Sequence, residues 1–372
     1  MLRSRRPQGF KNAYPCSRWC NMSKCGSLPG VMKVLAALMI GLVLPLALTA
    51  ASRPLQVYFI DVEGGQATLF VSSSGKSMLV DTGWAGYDGR DAKRIVAAAH
   101  DAGIHQIDDL VITHYHADHV GGVPQLAALI PIRNFIDHGE TTETRPQAEE
   151  FYKAYLNVRA KGRHILARPG MQIPIRGMRV TVLTAAGKDI EHSLTDGGES
   201  NPYCSSAQEP KRLDHSENSQ SLGLLVNYGK FRMIDLGDLP SWPGEHGLVC
   251  PTNRVGHVEV YLSTQHAYAE SGAAFLVDAL KPIVAIADNG SHKGGDPEAL
   301  QVIQHSPGLE GFWDLHYSDS ADKNLNAQPP YIANLTDNPD HGYWIKLAAH
   351  SDGTFTVTNQ RNGESKTYHL RK

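Results

Sequence analysis

Four residues of metal-binding type fall within six positions of the stretch Leu110–Gly122: His114, His116, Asp118 and His119. Imidazole nitrogen and carboxylate oxygen are the donors that hold zinc and similar borderline ions at about 2.0–2.2 Å. A string H-x-H-x-D-H of this density points to a metal site. His114 and His116 lie two apart, so near the end of a strand both can point the same way. Asp118 and His119 can then face a neighbouring position, the layout of a two-metal hydrolase. The other readings are a polar surface loop, or a structural zinc that closes it. A structural site usually takes cysteines and fills all four positions, and this stretch has no cysteine.

The elements around the string must hold it in place. Leu110–Thr113 is a short apolar, β-branched run, and Gly121–Gly122 opens an amphipathic segment with Val123, Leu126, Leu129 and Ile130 on one face. The histidines therefore occupy a strand-to-helix loop. The first half of the chain alternates strand-like runs (Leu55–Ile60, Ala67–Val71, Met78–Val80, Leu110–Thr113) with helical ones (Asp91–Ala102, Gly122–Ile130, Arg145–Ala160). From Arg179 strands dominate, and Ala273–Leu280 and Pro297–His305 read as helices. Two packed mixed sheets with helices outside would bury all these faces, an α/β fold of the αββα sandwich type. Tyr343–Leu347 and Thr354–Thr358 across Ser351–Gly353 read as a closing β-hairpin.

Three motifs carry a resemblance. Asp81-Thr82-Gly83 after an apolar strand, the His114–His119 string, and Gly237-Asp238 after Phe231–Leu236 are similar to the ordered motifs of the metallo-β-lactamase fold. Within that fold, Phe59–Leu69 and Ser221–Asp238 resemble the opening strand pair and central hairpin of the hydrolase domain of the competence protein ComEC and its free-standing secreted relatives. The resemblance covers most of residues 55–317. It implies a metal-bound hydroxide as nucleophile, with zinc as the metal, one or two ions, or manganese. His114, His116, Asp118, His119, Asp238 and His266 would be ligands, with Asp238 bridging and Asp118 also positioning the catalytic water. Asp81 would order the ligand loop from behind. His266 stands in Gln265-His266-Ala267, where the family usually has His-His-Gly. Ordinary members supply a third histidine where this chain has Glu217-Asn218, and the competence-type relatives tend to have asparagine there. Asn218 is thus a candidate for a supporting or substrate-facing role, as is His292, while His215 or His192 could substitute as a ligand.

The same likeness favours phosphodiester hydrolysis. A lactone, thioester or β-lactam substrate, or a non-catalytic, metal-stabilised envelope binding protein, are the alternatives, since fold does not settle substrate. Composition bounds the partners. The 372 residues are 41% hydrophobic and 20% charged, as in globular chains. Lys33 followed by the apolar run Val34–Ala51 fits an export signal cut near Ala50 or Ala51. Residues 1–31 are then an upstream extension, 32–51 the signal, and 52–372 the hydrolase domain of a periplasmic or secreted protein. A retained anchor is the competing reading, and contact with the membrane would run only through that segment. Past residue 51 there remain 28 Lys and Arg against 38 Asp and Glu, a formal charge of −10. This disfavours nucleic acid as a partner without excluding it, and leaves a small-molecule or phosphodiester substrate as the expected one. One basic stretch, Lys153–Arg179, holds seven basic residues and no acid, either a solvated helix end and turn or an anion cradle. Cys16, Cys20 and Cys25 precede the cut, and Cys204 and Cys250 either pair in an oxidising compartment or stay as buried thiols.

Overall fold

The computed structural model describes residues 53–371 apart from 207, 208, 339 and 340. The segments expected to be an export signal and an upstream extension, and the first three cysteines, lie outside the described residues. Among the described residues no helix is long and apolar enough to cross a membrane.

Alternation along each strand builds the layers. In the opening strand, Leu55–Phe59, the side chains of Leu55, Val57 and Phe59 enter a core shared with Val180, Val182, Leu224, Val226, Met233 and Trp313 of a second sheet. Tyr58 points the other way, among Leu69, Leu79, Ala92, Ile95, Leu110 and Leu126. That outer layer comes from the helices Arg90–Asp101, Val123–Leu129 and Pro146–Arg159. The second sheet has its own outer layer, in which Leu225, Ile234, Tyr261 and Ala285 meet Leu248, Phe275, Leu276 and Leu300 of the helices His246–Val249, Ala274–Leu280 and Pro297–His305. The architecture is the expected αββα sandwich, with nine strands in each sheet.

The order of strands decides what meets at one end. In the first sheet, Ser77–Val80 and Ile107–Val111 run parallel side by side. In the second, Phe231–Asp235, Val260–Leu262 and Val284–Ala287 are consecutive parallel neighbours. Ligands in α/β folds bind beyond the carboxyl ends of such strands. Here those ends deliver Asp81, the His114–His119 loop, Asp238, His266 and the Asp288–Lys293 loop.

Some boundaries differ from the sequence reading for physical reasons. The strand before the histidines begins at Ile107, because Asp108 is paired with Lys76 (3.0 Å) and Asp109 accepts from Asn134 (2.8 Å), which lets both acids enter a sheet. Towards the C-terminus, Ile345–Ala349 pairs with Phe355–Asn359 about the expected turn Ser351–Gly353, with each strand shifted one or two residues later than expected, and Ser365–Tyr368 adds a further strand. The basic stretch is divided among a helix end, the edge strand Arg163–Leu166 and a turn. Arg159 is held by Asp137 at 2.7 Å, and charges on an edge strand oppose pairing with other chains. Cys204 and Cys250 form a disulfide across 46 residues.

One buried acid has a consequence for pH dependence. Asp314 is 1% exposed, accepts from Ala327 N at 2.7 Å through Oδ2, and leaves Oδ1 without a hydrogen-bond partner. Burial pushes its carboxyl up to about 8. The folded state therefore binds a proton that the unfolded state has released above its ordinary value of 3.8, so this stabilisation is complete below 3.8 and is lost as pH rises through about 8. Asp314→Asn should remove that loss. Unfolding free energies from urea titrations at about pH 5 and about pH 9 should diverge less in the variant than in the wild type, by on the order of 1 kcal/mol or more. Parallel behaviour of the two proteins would show that Asp314 is ionised in the fold.

Candidate metal centre

The strand Ile107–Val111 is followed by Ile112 and Thr113, and the chain then turns through His114 and His116 into the short helix Ala117–Val120. The string thus sits in the expected strand-to-helix loop. His114 Nε2 lies 3.1 Å from His116 Nδ1 and 3.8 Å from Asp238 Oδ2. His119 Nε2 and His266 Nε2 converge to 3.2 Å, and each lies 3.4 Å from Asp118 Oδ2. Asp238 Oδ1 is 3.2 Å from the first of these nitrogens and 3.3 Å from the second. Two donor groups result, His114–His116–Asp238 and Asp118–His119–Asp238–His266, and Asp238 belongs to both.

Backbone geometry makes this convergence affordable in steric terms. Gly237 has φ +56°, and a Cβ there would stand 2.9 Å from Thr113 Cβ, so glycine is what lets Asp238 reach the histidine loop. Gln265, His266 and Ala267 all have positive φ, of 51°, 55° and 63°. Strained backbone of this kind persists only where its surroundings fix it. Gln265 N donates to Gly237 O, Gly295 N to His266 O and Asp296 N to Ala267 O, at 2.8–2.9 Å. The unusual Gln-His-Ala thus still aims its imidazole at the cluster.

A carboxylate backs each of the two converging imidazoles. Asp81 Oδ2 lies 2.7 Å from His119 Nδ1, and Asp81 also accepts from Thr113 N and Thr113 Oγ1 at 2.8 and 2.6 Å. Asp288 Oδ2 lies 3.3 Å from His266 Nδ1. Such partners fix the tautomer and leave Nε2 free to donate its lone pair. The electrostatics point the same way. Burial, and then His119 beside it, push His114 well below its ordinary value, so it is neutral. Burial opposes a charge on His119, but Asp238, Asp118 and Asp81 outweigh it and hold its imidazolium well above the ordinary range. That proton is the one a cation displaces on binding.

The donor set passes a direct test for a metal. Asp238 Oδ1 is buried beside two imidazole nitrogens yet makes no hydrogen bond. An orphaned carboxylate oxygen in such a place is costly unless a cation satisfies it.

Where a third histidine would stand, the turn Glu217–Gln220 places Asn218, whose Oδ1 is also buried without a hydrogen-bond partner. Glu217, fully buried, ties this turn to the histidine loop by accepting from Tyr115 N (3.2 Å). His192 and His215 are exposed and belong to neither donor group, so the structure gives them no ligand role. His292 is likewise outside the cluster, 72% exposed at its side chain, with ring nitrogens 3.4 and 3.3 Å from Asp319 and Asp337. The turn closed by Gly290 N donating to Lys293 O sends the next residue inward instead, and Lys293 Nζ donates to Asp118 Oδ2 at 2.7 Å. Sequence reasoning missed Lys293, Asp288 and the role of Glu217. The available signal was their position just past strand ends or beside Asn218.

Comparison with known proteins fits this geometry. Residues 60–202 match the family model of the metallo-β-lactamase superfamily. A hydroxyacylglutathione hydrolase of Stenotrophomonas maltophilia is 36% identical over 104 residues, which are 27% of this chain and 37% of that protein. The chain therefore matches little more than a third of the length of that curated relative. Among solved structures, the metallo-β-lactamase fold protein YhfI of Bacillus subtilis aligns with a TM-score of 0.44 at 12% identity, over 70% of this chain and 96% of that one. The diiron β-hydroxylase CmlA of Streptomyces venezuelae aligns at 0.37 and 14%, over 64% and 45%. Over residues 60–202 the chain is similar to the metallo-β-lactamase superfamily, and its architecture is the metallo-β-lactamase fold.

Proposed function

We propose that the chain is an exported, metal-dependent hydrolase that acts on phosphodiesters, of the type found in the ComEC-like competence hydrolases. The observation that carries a dinuclear site is Asp238, one carboxylate shared by two donor groups. His114, His116 and Asp238 would hold one ion. Asp118, His119, Asp238 and His266 would hold the other. When bound, such ions make a nucleophilic water available near neutral pH and polarise the scissile bond; zinc suits the nitrogen and oxygen donors, and manganese is the alternative.

The chain's own residues do the rest. Asp118 positions the attacking water, being the carboxylate of its donor group that is not shared with the other. Asp81 and Asp288 keep His119 and His266 aimed inward. Export rests on the charged and apolar segment Lys33–Ala51. The hydroxyacylglutathione hydrolase relative favours a second reading, a thioester substrate.

Metal analysis of the mature chain, purified without added metal, should find about two ions per chain. The same preparation should cleave bis(4-nitrophenyl) phosphate faster than a lactoylglutathione-type thioester. The reverse preference would replace the phosphodiester by the thioester. Full metal content with no turnover of any phosphodiester, ester, thioester, lactone or β-lactam would make the chain a binding protein that keeps the fold.

A further inference from the structure

Lys293 is the cation that enters the cluster from outside the donor set. Beyond Asp118 Oδ2 it donates to Gly64 O, and its ammonium has three donors. The third has no acceptor among the described residues. Lys293 lines an open groove of about 330 Å³ with Trp84, Tyr87, Arg90, His292 and Glu63. Its Nζ stands 5.5 Å from the Trp84 ring centre and 5.6 Å from that of Tyr268. Trp84 also lines a second groove of about 230 Å³, whose wall includes His116 and Arg145. The indole thus lines both grooves, one of which reaches the cluster residue His116 and the other Lys293, the partner of Asp118.

The other charges around these grooves are already matched. Glu63 pairs with Arg94 at 3.1 Å and lies 4.0 Å from Arg90, which is itself held by Asp91 at 2.6 Å. Asp337 pairs with His292. Arg145 is locked to Glu143 and is mostly exposed. Lys293 differs, because its carboxylate partner Asp118 is one that the ion would also claim, which leaves the ammonium as a positive charge lining the groove. The backbone is shaped for this entry. Gly64 has φ +75°, and a Cβ there would stand 2.8 Å from Lys293 Cβ.

We propose that Lys293 and Trp84 form a substrate subsite beside the cluster, in which the ammonium takes an unesterified, negatively charged phosphoryl oxygen and the indole face takes a planar group attached to it. This rests on the phosphodiester reading and narrows it to small anionic esters that carry an aromatic or heterocyclic ring. A charge-assisted hydrogen bond of this kind is stronger than a neutral one, and an aromatic face accepts any ring regardless of its substituents.

The test uses the metal-loaded mature chain and its Lys293→Met, Lys293→Arg and Trp84→Ala variants. Calorimetric titration with inorganic phosphate reads anion binding without turnover. Lys293→Met should weaken phosphate binding on the order of 10-fold or more, Lys293→Arg should restore most of it, and metal content should be unchanged in both. For bis(4-nitrophenyl) phosphate, Lys293→Met should raise KM more than it lowers kcat. The neutral ester 4-nitrophenyl acetate should change by less than about threefold in kcat/KM, within ordinary mutational scatter. Trp84→Ala should raise KM for the aryl phosphodiester and leave phosphate affinity alone. Equal losses on charged and neutral substrates, or loss of metal in Lys293→Met, would make Lys293 a support for Asp118 and overturn the subsite. Unchanged phosphate affinity would overturn it as well. A wild type that binds phosphate through Lys293 but hydrolyses only thioesters would instead sink the phosphodiester reading and keep the anion site.

Discussion

Asp238→Ala should strip both halves of the cluster together: metal content falls from about two ions per chain to fewer than one, and hydrolysis falls on the order of 10³-fold or more. The expectation follows from sharing. Asp238 Oδ1 lies 3.2 and 3.3 Å from the converging nitrogens of His119 and His266, while Oδ2 lies 3.8 Å from His114 Nε2. Its removal leaves His114 and His116 as a pair of imidazoles, too few to hold an ion tightly. The remaining Asp118, His119 and His266 would also carry less negative charge to offset a divalent ion. The variant should stay folded without metal, because Asp238 Oδ1 makes no hydrogen bond that another element needs. Elemental analysis and circular dichroism of one preparation separate the two effects. A variant that keeps one full equivalent of metal and a tenth of its activity would show that the two groups act independently.

Glu217→Ala should have the largest effect on stability, a loss of ~3–5 kcal/mol, the range for removing one member of a buried ionic network. Its carboxylate is fully buried and gathers His138 Nε2 (2.9 Å), Thr141 Oγ1 (3.1 Å), Thr142 N and Thr142 Oγ1 (both 2.8 Å) and the Tyr115 amide. Alanine leaves all of these donors without a partner, and each buried orphan costs energy. Because Tyr115 lies between His114 and His116, activity should fall with stability even below the melting temperature. The pH dependence has a definite sign. Burial raises the Glu217 carboxyl, but His138 and the Thr142 amide lower it further, and the net is below its ordinary 4.5. Its stabilisation is therefore complete above 4.5 and is lost as pH falls through the lower folded value. Chemical denaturation at neutral and acid pH checks both points. A variant as stable as the wild type near neutrality would contradict the network.

The readable part of this molecule was what the chain keeps local. His114, His116, Asp118 and His119 sit in one loop, so their types and spacing alone suggested a metal, and the alternation of apolar runs suggested two sheets between helices. Asp238 and His266 were found through the order of motifs in a resembling family. Lys293 and Asp288 were not found, because they become neighbours of the cluster only through the adjacency of the parallel strands Phe231–Asp235, Val260–Leu262 and Val284–Ala287. No local pattern encodes that adjacency. The preference for His292 over Lys293 has the same origin: residue type favoured the histidine, while the turn around Gly290 and Gly294 decides which side chain points inward. Likewise Glu217 looked like an ordinary acid in a loop, and its role depends on contacts 75 to 102 residues away in sequence.

The central claim is that one carboxylate joins two ions. Anomalous diffraction from crystals of the metal-loaded mature chain, collected at the absorption edge of the bound metal, tests it directly. The account predicts two peaks about 3.5–4 Å apart, one within bonding distance of His114, His116 and Asp238 and the other of Asp118, His119, Asp238 and His266. A single peak, with His114 and His116 bound to nothing, would contradict it.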